Sequence, residues 1–142
     1  MEVQLMVTEA YCDFETAKLL KEKGFDVVTN TSYVVDNYKR PFVKVGDFLY
    51  NRPTEPHLIA APSLALTMKW LREKHKLFID ITAAMEDYIE DGVVKYKDPY
   101  YTWEVFSLEI GETLCFGEAQ NVKKSYEEAC EAAIKYCLEN LI

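Results

Sequence analysis

The sequence predicts a single α+β domain over residues 1–142, with a mainly antiparallel sheet packed with three helices. Three observations carry this. Helix-start signals stand at three widely spaced places, near Asp13, Pro62 and Ser125. Runs of β-branched and aromatic residues fill the intervals between them. Turn signals such as Asp36-Asn37, Asp91-Gly92 and Gly111-Glu112 cut those intervals into short pieces. A chain of this length can bury ~70% of its unfolded surface, enough for one core without disulfides or metals.

The elements follow in order. Val3, Leu5 and Val7 alternate with Glu2, Gln4 and Met6, the period of a strand. Asp13 is placed to cap a helix from Phe14 to Lys23, and Gly24 to end it, with Phe25 folding back on Leu20. Val27-Val28, Tyr33-Val34-Val35 and Pro41 to Val45 read as strands. Gly46-Asp47 reads as a tight hairpin turn onto Phe48-Leu49-Tyr50. Arg52-Pro53-Thr54-Glu55-Pro56 reads as a loop, because its prolines can continue neither a ladder nor a helix.

Pro62 is expected in the first turn of a second helix running to about His75. Leu64, Met68 and Leu71 form one stripe of it, and Leu66 and Trp70 a second, nearly opposite stripe. Leu77 to Thr82 then reads as a buried strand. Val93 to Lys97 is expected to pair locally after the Asp91-Gly92 turn. Tyr101 to Ile110 alternates with Trp103 and Val105 on one side, and Thr113 to Phe116 is its hairpin partner.

Ser125-Tyr126-Glu127-Glu128 reads as a capping box opening the last helix. Tyr126, Cys130, Ala133, Cys137 and Leu141 make its inner stripe, flanked by Ile134 and Tyr136. Glu127, Glu128, Glu131, Lys135 and Glu139 read as one solvated face, with Glu131 and Lys135 an i,i+4 ion pair.

The net charge of −8 bears on function. Direct nucleic-acid binding needs a basic face, and the basic residues here are scattered; anionic membrane surfaces are disfavoured for the same reason. No segment approaches the ~18 apolar residues of a membrane span. The first residues lack the basic start and cleavage site of a signal peptide, so the expected location is cytoplasmic. Cys12, Cys115, Cys130 and Cys137 form no Cys-x-x-Cys pair and read as reduced, small buried hydrophobes.

No motif carries chemistry. Asp87, Asp91 and Gly92 fit positions 1, 5 and 6 of a calcium loop, but Ile89, Lys95 and Asp98 stand at positions 3, 9 and 12. A solvated acidic turn is the better account. His57 and His75 have no neighbouring ligands at zinc spacing. The five glycines make neither a nucleophile elbow nor a phosphate loop. The reading assigns no catalytic, cofactor-binding or metal-binding residue and no cofactor. Leu66 and Trp70 are the one candidate partner surface, because their stripe points away from the side that docks the helix.

Four segments occur together in order. They are Ala17 to Asp26, Ala61-Pro62-Ser63 running on to Trp70 to His75, Tyr100-Tyr101-Thr102-Trp103, and Ser125 to Ala129. As a set they resemble a family of small uncharacterised proteins encoded in prophages and other mobile elements of gut bacteria. The resemblance implies a compact α+β domain and no assigned activity. The expected function is a non-enzymatic accessory protein of a mobile element, acting through an unknown protein partner or self-association. The alternatives are an enzyme whose site assembles only in the fold, and an acidic decoy that mimics DNA.

Overall fold

The computed structural model describes residues 8–115 and 122–142. The strand expected at Val3–Val7 lies outside the described residues, as does Phe116. The described residues form three helices and eight strands, the strands in three antiparallel sheets, making one α+β domain.

Helix α1 spans Phe14–Glu22. Asp13 caps it by accepting from the Thr16 N–H at 2.8 Å. Its end is as the sequence implies: Gly24 has φ +87°, and the Phe25 N–H returns to the Leu20 carbonyl. Helix α2 spans Leu64–His75. Ser63 is its N-cap, accepting from Leu66 N–H at 3.1 Å, so Pro62 precedes the helix rather than opening its first turn. Helix α3 spans Tyr126–Asn140, capped by Ser125 Oγ on Glu128 N–H at 3.1 Å. The Glu128 carboxylate reaches the Lys124 N–H, one residue short of the reciprocal contact a full capping box would make.

Strands β1 (Thr29–Val35), β2 (Pro41–Leu49) and β3 (Leu58–Ala60) form a sheet in the order β2-β1-β3. The hairpin turn expected at Gly46-Asp47 is not there. The chain turns at Asp36–Arg40, where the Asp36 carboxylate accepts from the Tyr38 and Arg40 N–H groups at 2.9 Å. Gly46 instead sits within β2, at an irregularity that sets Gly46, Asp47 and Phe48 against Asn30 alone. Its φ of +112° explains why glycine stands there. In one sequence, a glycine marking a bulge and a glycine marking a turn look alike.

Strands β4 (Leu77–Ala84), β7 (Tyr100–Ser107) and β8 (Glu112–Cys115) form the second sheet, ordered β4-β7-β8. The third is a hairpin of β5 (Asp87–Glu90) and β6 (Val93–Tyr96). It grows directly out of the second sheet. Ala84 pairs with Tyr100, the Glu86 carbonyl accepts from the Lys97 N–H, and Asp87 pairs with Tyr96. Only Met85 intervenes on one side, against Asp98 and Pro99 on the other. The unequal spacing is a bulge, and Pro99 suits it because it has no N–H to offer. The acidic segment thus becomes strand β5 rather than a turn. Asp91 and Gly92 at the tip both take positive φ, as a two-residue hairpin connection requires.

Helix α3 holds the centre. It packs on β4 and β7 and touches both α1 and α2. Ala129, Cys130, Ala133, Ile134, Cys137 and Leu138 are all fully buried. Tyr126 and Leu141, expected on the inner stripe, sit at its ends, Tyr126 largely exposed and Leu141 half-buried. On the sheet side Ile79, Trp103 and Val105 meet this face; Leu77 completes the row.

Two stability outcomes follow from these contacts. Ser125→Ala should cost about 1 kcal/mol in chemical denaturation, because it strands a helix N–H. Trp70→Ala should cost about 3–5 kcal/mol, as expected of a large buried aromatic. An unchanged denaturation midpoint in either variant would contradict the corresponding contact.

Candidate interaction surface

The surface expected at Leu66 and Trp70 is divided by the fold. Trp70 is only 5% exposed. Its ring meets Phe25 edge-on at 5.3 Å and His75 at 4.7 Å. It is therefore core, not a partner anchor. The reason is the return of the chain after α1, which lays Phe25 over the side of α2 that the helical wheel leaves open. The buried residues of α2 are Leu64, Thr67, Trp70 and Leu71, so one broad face is covered rather than two opposite stripes. Leu66 is half-buried. It lines a shallow cleft of about 220 Å³ with Tyr11, Val28, Phe48 and Pro62.

Polar chemistry gathers instead where α1 begins against α3. Glu131 accepts hydrogen bonds from the Asp13 N–H at 3.0 Å and from the Thr16 hydroxyl. Lys135 pairs with Asp13 at 2.9 Å. The solvated Glu131–Lys135 pair expected from i,i+4 spacing is thus replaced by cross-helix contacts, because the start of α1 offers Glu131 unpaired N–H and O–H donors. Burial opposes ionisation of Asp13, but hydrogen bonds from Thr16 and Lys135 outweigh it and bring its pKa down to about 2. Burial pushes Glu131 up, and the neighbouring Asp13 charge adds to that. The arrangement is a staple between helices: the donors that Glu131 faces are those that start α1.

The remaining candidates are placed as follows. Cys12, Cys130 and Cys137 are fully buried. Burial pushes the Cys12 and Cys137 thiols up to about 12, far from the range of a reactive thiolate. The Cys12 sulfur lies 3.2 Å from the Thr67 hydroxyl. His75 packs on Trp70, and burial followed by the Lys74 charge lowers its pKa. Among the described residues no three His, Cys, Asp or Glu side chains converge as metal ligands do.

Exposed apolar surface is concentrated on strands. Strand β2 is exposed along all but its last residue. Phe42, Val43, Val45 and Phe48 are between 51% and 79% exposed, well beyond the scattered surface hydrophobes of an ordinary monomer. Among the described residues it is also a sheet edge. Val35 N–H and the Thr31 carbonyl bond toward β3, whereas Asp36 N–H bonds toward β2. The alternation of an antiparallel ladder then turns the backbone groups of Phe42 and Lys44 to β1. Those of Val43 and Val45 face the open edge. Pro41 at one end and the bulge at the other limit the usable edge to this stretch.

Sequence reasoning missed this surface although its signal was present. Pro41 to Leu49 holds apolar residues on both faces of one strand, a pattern read as two strands joined by a tight hairpin turn at Gly46-Asp47. Comparisons with protein-family models, with curated proteins and with solved structures find no match to this chain.

The staple makes a prediction about pH. Asp13, with a folded pKa below its unfolded value of about 3.9, stabilises the fold above that value and loses its contribution as pH falls toward 2. Glu131, with a raised folded pKa, contributes in the opposite sense: its term is present at acid pH and lost as pH rises through the folded value. Glu131→Gln keeps an acceptor for Thr16 and Asp13 and removes the titration. Its stability relative to the native chain should therefore rise from pH 4 to pH 7. Glu131→Ala should lose about 1–3 kcal/mol by orphaning both donors. Urea denaturation at the two pH values checks both, and equal losses in the two variants would sink the staple.

Proposed function

We propose that the chain is a non-enzymatic accessory protein, of a prophage or other mobile element, that acts through protein–protein contacts. The observation that carries this reading is the β2 edge. It combines backbone groups at Val43 and Val45 that have no partner among the described residues with exposed Phe42, Val43, Val45 and Phe48. An incoming strand takes its affinity from main-chain hydrogen bonds at such an edge and its specificity from the side chains flanking it. The mobile-element origin rests on the resemblance of Ala17–Asp26, Ala61–His75, Tyr100–Trp103 and Ser125–Ala129 alone.

The decoy reading is favoured by one observation, the concentration of charge. Residues 77–115 hold nine acidic and two basic residues, and so seven of the chain's eight net negative charges. Phe78, Ile89, Val94, Tyr96 and Leu108 are exposed among those charges. That mixture suits contact with a protein surface better than imitation of a sugar-phosphate backbone.

Affinity capture from cells of the native source separates these readings. The bait is the native chain, compared with Phe42→Lys/Val45→Lys. A discrete set of proteins held by the native chain and lost from the variant is expected. Capture of the same set by both would overturn β2 as the contact surface, and a set made up of DNA-binding proteins retained by both would favour the decoy.

A further inference from the structure

Two of the exposed apolar regions among the described residues differ in charge. Asn37–Gly46, the turn and first half of β2, holds Lys39, Arg40 and Lys44 and no acidic residue. Tyr38, Phe42, Val43 and Val45 are exposed beside those cations. The sheet β4-β7-β8 has the opposite character. Helices α2 and α3 pack on its inner face, that of Leu77, Ile79, Trp103 and Val105. Its outer face carries Phe78 directly opposite Phe106, and next to them Asp80 directly opposite Glu104.

That second pairing sets like charges face to face across two strands, which costs rather than contributes stability. Among the described residues neither carboxylate has an ion-pair partner. The two carboxylates and the phenylalanines line a cleft of about 410 Å³ together with Leu108 and Thr113. A ligand that fits must bring cations and apolar groups together.

We propose that the occupant of this cleft is the β1–β2 turn of a second copy of the same chain. Lys39 and Lys44 of one copy lie against Asp80 and Glu104 of the next, and Tyr38 and Phe42 against Phe78, Phe106 and Leu108. The inference rests on the protein-contact reading above and names the partner. The charges are complementary: the donor segment holds three cations and no acid, and the strands that receive it hold Asp80, Glu104 and Glu112 and no basic residue. The two surfaces are different parts of one molecule, so the contact is head-to-tail. Such contacts produce rings or open chains rather than a two-fold dimer.

Sedimentation of the purified full chain tests this. The weight-average mass of the native protein should rise with concentration past that of two chains. The apparent association constant should fall at least tenfold between roughly 0.05 and 0.5 M salt, because the attraction is between surface charges. Asp80→Lys/Glu104→Lys and Lys39→Glu/Lys44→Glu should each be monomeric; Arg40 stays with Asp36, whereas Lys44 exchanges its exposed contact with Asp47, at 2.7 Å, for the acidic pair. The four changes together reverse both surfaces and should restore association. Circular dichroism melts of each variant establish that it is folded. A native chain that stays monomeric overturns the proposal, as does association indifferent to Asp80→Lys/Glu104→Lys, which would indicate pairing of two β2 edges. A monomeric chain that still loses its captured partners on Phe42→Lys/Val45→Lys removes the second copy as occupant and leaves the protein-contact reading standing.

Discussion

Small side chains along one helix are the constraint on which this fold depends. Ala129, Ala133, Cys130 and Cys137 give α3 a face with little bulk, so α1, α2 and the β4–β7 pair all approach it closely. Larger groups at those positions would push one of the three layers away, since tightly packed interiors absorb added volume only by strain. Ile134 and Leu138 then fill the space the small residues leave. The cysteines serve here as volume, and their raised pKa values are a by-product of the same burial.

Around that helix, charge does orienting work of a more local kind. Glu131 and Lys135 reach across to Asp13 and Thr16, which fixes where α1 starts relative to α3. A further cation has a similar role at the other end of α1. The Lys21 ammonium donates to the Glu55 and Leu58 carbonyls at 2.8 Å and so ties the helix to the loop before β3. Both contacts join residues far apart in sequence. They satisfy backbone groups that the helix start and the loop leave without ladder partners.

Much of the fold was legible because its signals are local. Caps at Asp13 and Ser125, the end of α1 at Gly24 and the alternation through Trp103 and Val105 all depend on residues within a turn or two of each other. What escaped depends on distance. Gly46 in a bulge can be told from Gly46 in a turn only by knowing that Asn30 lies opposite. Three-residue β3 has no pattern of its own and exists because β1 offers it an edge. The candidate surface fared worst. Trp70 is closed off by Phe25, forty-five positions earlier, and Glu131 is drawn from solvent by a helix start more than a hundred positions away. Of the sequence-level pair, only Leu66 retains a place at the surface.

The β5–β6 hairpin differs from every other element in that its side chains are all exposed. Two-stranded hairpins standing alone are marginal in water, and this one leans on its continuity with β4 and β7. Its residues can accordingly change with little penalty to the core. Ile89, Val94 and Tyr96 are free to be exchanged for other shapes and charges while α3 and its neighbours stay as they are. Over generations, then, the tip of this ribbon can drift and adapt separately from the body, and a loop graft at Asp91-Gly92 would use the same independence in the laboratory.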